Sequence, residues 1–275
     1  MNYVKKFTEK DTERYYDEED EVYLSFWDPN GTLHWGLFQD DEDVVSASNN
    51  LTNYMIKKAK ISKNSNILNV GCGDGEVDIQ IIKKIGCKIT GIDLSGVRIE
   101  NACKKITLEL KSQLKFIHAS ATNLPFDNNV FSHVISQSTI YHIHDKQKAL
   151  SEICRVLQTG GIFVFDDLIK PKSEISEETK KYVYERLLFD TPFSFKSYQD
   201  ELRKQGFKII EARDESENMK KTYQKLYETL KEKIKSGENP KFHKRYEYLI
   251  NAYKKTVEAT DKKEIGWAIY LCRKI

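Results

Sequence analysis

Short apolar runs alternate with helical patterns through the middle of the chain, and this alternation restricts the possible folds more than any other feature. The apolar runs lie at residues 67–70, 88–93, 114–118, 131–136 and 162–165. Strands separated in this way by helices form βαβ units, in which successive strands run parallel within one sheet. We therefore predict an α/β fold.

Two further strand-like runs lie near the carboxyl end of the chain, GFKIIEAR at residues 206–213 and GWAIYLC at residues 266–272. Their β-branched and aromatic residues favour strands. We predict a seven-stranded, mostly parallel sheet with helices on both faces. In this sheet, residues 266–272 lie antiparallel beside the fifth strand, residues 162–165.

After the third strand, three segments are predicted to be helical. Asp145 is a suitable N-cap for a helix over residues 146–157, which should end at the glycine pair 160–161. Residues 172–205, with a break at Thr191-Pro192, and the lysine-rich residues 215–263 also have helical patterns. The lysine-rich segment is more typical of a solvated helix face than of a binding patch.

The overall charge and the cysteine content exclude several classes of protein. With 44 basic and 42 acidic residues the net charge is +2, so no global field attracts nucleic acid or an anionic membrane. The five cysteines include no C-x-x-C pair, so neither a disulfide framework nor a zinc site is indicated. No apolar window reaches the roughly 18 residues of a membrane span. We expect a cytoplasmic protein without a membrane span, a metal site or a nucleic-acid partner.

An apolar run leads directly into three glycines at alternate positions, in the sequence NVGCGDG at residues 69–75. Such a turn lets the backbone approach a ligand closely at the amino end of a helix. The dinucleotide pattern G-x-G-x-x-G does not fit, because Glu76 occupies its last position, and the lysine of a P-loop is also missing. Asp74 would repel a pyrophosphate, so a ligand with an amino or sulfonium group is more compatible.

Asp93 ends the second apolar run. A carboxylate at this point, about 20 residues after the turn, is placed to accept hydrogen bonds from ribose hydroxyls. An ordinary tight turn between a strand and a helix would explain the glycines alone. The turn and the carboxylate together predict a nucleoside ligand.

These motifs resemble those of class I S-adenosylmethionine-dependent methyltransferases, most of all the group of sarcosine and dimethylglycine N-methyltransferases. The resemblance covers nearly the whole chain and implies a Rossmann-like sheet that binds S-adenosylmethionine. It rests on the glycine turn, GID (91–93), ATNLPF (121–126), FSHVISQSTIYHIHD (131–145), RVLQTGG (155–161), FDDL (165–168) and the end segments 15–38 and 266–274.

The resemblance implies a cofactor site formed by Gly71, Cys72, Gly73, Asp93, Leu94, Ser120, Ala121 and Gln137. Ser120 is a departure, because the family commonly has an acidic residue here that accepts a hydrogen bond from the adenine amino group. A serine hydroxyl contributes roughly 1 kcal/mol where a carboxylate contributes about 2 kcal/mol. We therefore expect somewhat weak cofactor binding.

Two residues near the carboxyl ends of strands are candidates for catalysis. His142 follows the fourth strand and could orient or deprotonate the acceptor. Capping of the helix that begins near Asp145 explains His142 equally well. Asp167 follows the fifth strand and matches a position that can act as a base in sugar-methylating relatives, with stabilisation of a loop as the alternative.

The acceptor is expected to contact aromatic residues and one arginine. Aromatic faces attract a sulfonium or a methylated ammonium, although packing on the sheet edge explains at least part of this aromatic content. Arg186 could pair with an acceptor carboxylate, and a surface ion pair is the simpler alternative. The aromatic candidates are Tyr16, Tyr23, Trp27, His34, Trp35 and Tyr141.

We therefore expect a monomeric or homodimeric methyltransferase that acts on a small molecule, with an amine nitrogen as the preferred acceptor. The alternatives are an oxygen or carbon acceptor in a sugar, phenol or isoprenoid, and a non-catalytic protein that binds the cofactor or RNA. Residues 1–60 should form an N-terminal lid and residues 61–170 the cofactor-binding core. Residues 171–275 should supply the remaining strands and helices that cover the substrate.

Overall fold

The computed structural model describes residues 7–189 and 192–275, without the side chains of Tyr16, Asp17 and Asp20. One sheet lies at its centre. The seven strands are β1 (Asn66–Val70), β2 (Lys88–Asp93), β3 (Leu114–His118), β4 (Phe131–Ser136), β5 (Leu157–Ile169), β6 (Phe207–Asp214) and β7 (Gly266–Lys274).

Across the sheet the strand order is β3-β2-β1-β4-β5-β7-β6. Strands β1 to β5 pair in parallel, and β7 runs antiparallel to both β5 and β6. The chain order reverses at β1, so the carboxyl ends of β1 and β4 flank the crevice where such sheets bind ligands. The prediction of a mostly parallel, seven-stranded sheet with an antiparallel last strand beside β5 is confirmed.

Helices cover both faces of the sheet. None of them, within the described part of the chain, combines the length and apolar character needed to cross a membrane. The helices are α1 (Glu9–Leu24), α2 (Val44–Ala59), α3 (Glu76–Ile85), α4 (Gly96–Lys104), α5 (Lys146–Val156), α6 (Glu177–Thr179), α7 (Phe195–Lys204), α8 (Ser216–Ser236) and α9 (His243–Asp261).

Side chains fix the amino ends of several helices by accepting hydrogen bonds from otherwise unpaired amides. Thr8 and Asp11 form a reciprocal capping box at the start of α1. The Asp43 carboxylate accepts from the Ser46 amide at 2.7 Å at the start of α2. These caps therefore define where the helices begin, even for a helix as polar as α1.

The sheet separates two hydrophobic cores. One core contains buried residues of α1, α2, α3, α8 and α9, together with strand residues such as Trp267 on β7. The other core contains buried residues of α5 and α7, such as Tyr198, together with strand residues such as Tyr270 on β7. Because they share the first core, the N-terminal helices α1 and α2 and the C-terminal helices α8 and α9 lie on the same side of the sheet. There they cover one end of the strands.

Two segments differ from the sequence prediction. Helix α5 ends at Val156 and β5 begins at once at Leu157, whereas we expected the helix to run to 157 and the strand to begin at residue 162. The glycine pair lies inside β5, where Gly160 has a φ of +79° and the register with β4 shifts. Residues 172–205 are helical only in part, as α6, a following π-helical turn at Lys180–Tyr184, and α7. Of the predicted break, Pro192 precedes α7, and Thr191 lies outside the described residues.

Candidate functional site

The turn between β1 and α3 has a backbone that only glycines adopt easily. Gly71, Gly73 and Gly75 have φ angles of +78°, +53° and +75°. A Cβ atom at Gly71 would lie 2.2 Å from the side chain of Thr139, and one at Gly75 would lie 2.3 Å from the ring of Phe116. The turn therefore needs glycines both for its conformation and for its close packing.

The Asp93 carboxylate lies at the end of β2, directly beside this turn. It accepts hydrogen bonds from the amides of Gly73 and Ser95, each at 2.9 Å. The residue is half-buried in the wall of a cleft. Each carboxylate oxygen can accept more than one hydrogen bond, so Asp93 can hold the turn and still receive ligand hydroxyls.

A cleft of about 980 Å³, open to solvent, crosses the carboxyl ends of β3, β2, β1 and β4. The structure brings all eight predicted cofactor residues together in the wall of this cleft. They are Gly71, Cys72, Gly73, Asp93, Leu94, Ser120, Ala121 and Gln137.

Helix α1, which belongs to the segment expected to form an N-terminal lid, also contributes to the cleft, through residues that were not predicted. The Glu9 Oε1 atom accepts a hydrogen bond from the Ser120 hydroxyl at 2.5 Å and from the Thr122 hydroxyl at 3.3 Å. Thr12 and Glu13, on the same face of α1, line the cleft as well. A carboxylate therefore lies next to the position at which the sequence has a serine.

His34 lies in the wall of this cleft, which places it with the cofactor residues and apart from the other aromatic candidates. Burial, with the nearby charge of Arg98, lowers the pKa of His34 from 6.5 to about 4. Arg98 and Asp74, both buried, line the same cleft. The imidazole of His34 is therefore neutral at pH 7.

A second, smaller cavity of about 400 Å³ adjoins the cleft, and we call it the aromatic cavity. Leu33 and His142 belong to the walls of both spaces. Five of the predicted acceptor residues with described side chains are here, while the Tyr16 side chain lies outside the described residues. The lining consists of Tyr15, Tyr23, Trp27, Leu33, Trp35, Tyr141, His142, Arg186, Leu187 and Tyr223.

The rings of the aromatic cavity are fixed by contacts with one another. The hydroxyls of Tyr15 and Tyr23 are 2.5 Å apart, and the ring centroids of Trp35 and Tyr141 are 5.5 Å apart. The Trp27 and Tyr223 rings meet edge to face at 6.5 Å. Tyr15 and Tyr223 were not predicted, because helical tyrosines within polar sequences give no signal of the side they face.

Arg186 is 6% exposed, so the alternative of a surface ion pair is wrong. Its guanidinium lies 5.5 Å from the ring centroid of Tyr223 and 5.3 Å from that of Tyr253. Its Nε donates to the carbonyl oxygen of Tyr182 at 3.1 Å. Among the described residues, the ion pairs within 4.0 Å include none that involves Arg186. A buried cation therefore borders the aromatic cavity, and no carboxylate of the described side chains forms an ion pair with it.

His142 lies on a single 3₁₀ turn, Ile140–His142, after β4. Its ring packs against Tyr141, with centroids 3.9 Å apart. Burial, with the charges of Lys146 and Arg98, holds its pKa well below 6.5. The amino end of α5 is capped by Asp145, which accepts from the Lys148 amide at 2.9 Å, so this cap does not need His142.

Asp167 does not line the cleft or the aromatic cavity. It is fully buried and accepts a hydrogen bond from the Tyr198 hydroxyl at 2.7 Å, and burial raises its pKa to about 6. The neighbouring Asp166 faces the opposite side of β5, since side chains alternate along a strand. Asp166 accepts from the Ser138 amide and from the Trp267 indole at 2.8 Å, so it supports the wall of the cleft.

Several lysines of residues 215–263 pair with acidic side chains. Lys220 contacts Asp261 at 2.5 Å and Lys225 contacts Asp41 at 2.8 Å. None of the residues that line the cleft in the described part of the chain comes from this segment. The lysines therefore lie away from the cleft.

Comparison with known proteins identifies the family. A methyltransferase domain model matches residues 68–165, from β1 to β5. The O-methyltransferase resE of Aspergillus sclerotiorum is 30% identical over 196 residues, which cover 69% of this chain and 74% of that protein. The sarcosine/dimethylglycine N-methyltransferase of Halorhodospira halochloris is 26% identical over 267 residues, which cover 95% of both proteins.

A solved structure has the same fold and contains the expected cofactor. It is phosphoethanolamine N-methyltransferase 2 of Haemonchus contortus in complex with S-adenosyl-L-methionine, with a TM-score of 0.75, 20% identity, and coverage of 94% of this chain and 60% of that one. The cleft fits this cofactor, because Gly71 and Gly73 form its wall with bare backbone and Asp93 offers its carboxylate beside them. The chain therefore belongs to the class I S-adenosylmethionine-dependent methyltransferases that act on small molecules.

Proposed function

We propose that the enzyme methylates the nitrogen of a small acceptor that carries both an amine and an anionic group, such as an amino acid. One observation carries this proposal: a buried guanidinium, that of Arg186, borders an aromatic cavity next to the cofactor cleft. A buried charge is costly unless a counter-charge meets it. An acceptor carboxylate would supply that counter-charge, and the planar guanidinium can bind it through two parallel hydrogen bonds.

The aromatic cavity suits the amine end of the same acceptor. The rings of Tyr15, Tyr23, Trp27 and Trp35 surround the cavity. Aromatic faces attract an ammonium or methylated ammonium by about 0.5–2 kcal/mol each, so these rings would favour both the acceptor and its product.

His142 lies between the two spaces, where the acceptor nitrogen must meet the methyl group. When bound, the cofactor supplies an electrophilic methyl group. The low pKa of His142 keeps its imidazole neutral, so it can accept a hydrogen bond from the amine and orient the nitrogen. The same low pKa makes it a weak base. We therefore propose that His142 orients the acceptor, while burial of the amine favours its uncharged form.

A second candidate is an oxygen acceptor in a phenol or sugar. The similarity to an O-methyltransferase at 30% identity favours it. The two candidates differ in their dependence on Arg186, because a neutral phenol or sugar brings no anionic group to the guanidinium.

The test is a methyl-transfer assay with a labelled donor against N-methylated amino acids, the matching amines without a carboxylate, phenols and sugars. In Arg186→Met, the KM for the amino acids should rise about 30-fold, the loss expected for a charge-assisted pair. Turnover of the amines should change much less. Arg203→Met is the control, because Arg203 is an exposed arginine paired with Asp200 at 2.8 Å.

An unchanged KM for the amino acids in Arg186→Met would overturn the proposal. Preferred turnover of phenols or sugars by the unmodified enzyme would support the second candidate instead. Thermal unfolding of both variants shows whether they are folded, so that a loss of structure is not mistaken for a loss of acceptor binding.

A further inference from the structure

The strand order sets the direction of the cofactor in its cleft. The cleft crosses the ends of β3, β2, β1 and β4, which carry Ser120, Asp93, Gly71 and His142 in that order along it. Neighbouring strands lie about 4.8 Å apart, so the span from Ser120 to His142 is roughly 14 Å. With the ribose at Asp93 and the methyl group near His142, the adenine must extend toward β3.

At the β3 end of the cleft, the hydroxyl hydrogen of Ser120 is already used in a hydrogen bond within the protein. Its hydroxyl donates to Glu9 at 2.5 Å, and its oxygen accepts from the Thr122 amide at 3.1 Å. Among the described residues, both hydrogen bonds to Glu9 reach Oε1, so Oε2 can accept from a ligand. The Glu9 carboxylate is therefore a stronger acceptor at this end of the cleft than the Ser120 hydroxyl beside it.

We infer that Glu9 recognises the adenine amino group, so that the base is selected by the N-terminal helix rather than by the sheet. The amino group is a hydrogen-bond donor, and a carboxylate is the acceptor that rewards it most. Ser120 and Thr122 then act as positioning residues that hold the carboxylate. The inference rests on the proposed position of the ribose at Asp93. It removes the expectation of weak cofactor binding that Ser120 alone suggested.

A glutamate in the first turn of a helix also has a simpler explanation, since a negative charge there interacts well with the helix dipole. That role needs no particular orientation of the side chain. Glu9 instead turns toward the loop after β3 and lines the cleft. The test must therefore separate recognition of the base from stabilisation of the helix.

The test compares the binding of S-adenosylhomocysteine with that of S-inosylhomocysteine, in which a carbonyl oxygen replaces the amino group. Calorimetric titration of the unmodified enzyme should favour the adenosyl ligand by about tenfold or more, because the inosine oxygen would face the Glu9 carboxylate. In Glu9→Gln the new amide can donate to that oxygen. The preference should then fall to about twofold or reverse.

Glu18→Gln makes the same charge change at an exposed position on α1 and should keep the preference of the unmodified enzyme. If Glu9→Gln weakens both ligands equally, Glu9 only stabilises the helix and the inference is wrong. Asp93→Asn tests the ribose position separately. If this variant binds both ligands more weakly while Glu9→Gln keeps the preference of the unmodified enzyme, the role of Glu9 is rejected and the ribose position stands. Unchanged binding in Asp93→Asn would reject the ribose position itself.

Discussion

Replacement of Asp93 by alanine should affect the free enzyme and the cofactor complex by separate amounts. In the free enzyme the carboxylate accepts from the amides of Gly73 and Ser95, each at 2.9 Å. Each lost hydrogen bond at this half-buried position costs about 1 kcal/mol, so the free energy of unfolding should fall by about 2 kcal/mol. Loss of the ribose hydroxyl contacts should cost the complex about 2 kcal/mol more, or roughly 30-fold in Kd.

Urea unfolding measures the first loss, and calorimetric titration with S-adenosylhomocysteine, at a temperature where the variant is folded, measures the second. Asp93→Asn is the matched comparison. It keeps the shape of the side chain, but its amide group would place a donor against one of the two backbone amides. A folded alanine variant that binds the ligand within about twofold of the unmodified enzyme would refute the assignment of the ribose to Asp93.

Two further predictions concern histidines. His142→Ala should lower turnover by about 10²-fold, the loss expected when the acceptor is no longer oriented, with nearly unchanged affinity for S-adenosylhomocysteine. A variant that loses stability or cofactor affinity instead would show that the ring has a structural role. For His34, the folded pKa of about 4 lies below 6.5, so on acidification the unfolded chain takes up a proton first and stability falls. Between pH 7 and pH 5, His34 should lower the free energy of unfolding by about 2 kcal/mol. Urea unfolding at the two pH values should therefore show a loss in His34→Gln that is smaller by this amount. Equal losses in both proteins would contradict the low pKa of His34.

Three of the parallel strands could be predicted from the sequence almost to the residue. Strands β2, β3 and β4 have the bounds expected from their apolar runs, because each run is rich in β-branched or aromatic residues and is followed by polar, turn-forming residues. The glycine turn and Asp93 were found by the same signal, since both lie at strand ends, whereas the other predicted cofactor residues came from the family resemblance.

Contacts between distant segments could not be predicted in this way. The Glu9 and Ser120 side chains meet across 111 residues, and nothing in the polar sequence of α1 indicates which of its faces meets the loop after β3. The adjacent aspartates of β5 show the same limit. Adjacent residues of a strand face opposite sides of the sheet, so Asp166 and Asp167 must do so. Which of the two supports the cleft wall depends on the helices that pack on each side.

Helix α1 supplies walls to both spaces, with Glu9 and Thr12 in the cleft and Tyr15 and Tyr23 in the aromatic cavity. If the spent cofactor leaves by movement of this helix, the same movement opens the cavity that we propose for the acceptor. The acceptor would then be released each time the cofactor is exchanged. An acceptor that takes several methyl groups should therefore be methylated distributively, with partly methylated intermediates free in solution between turnovers.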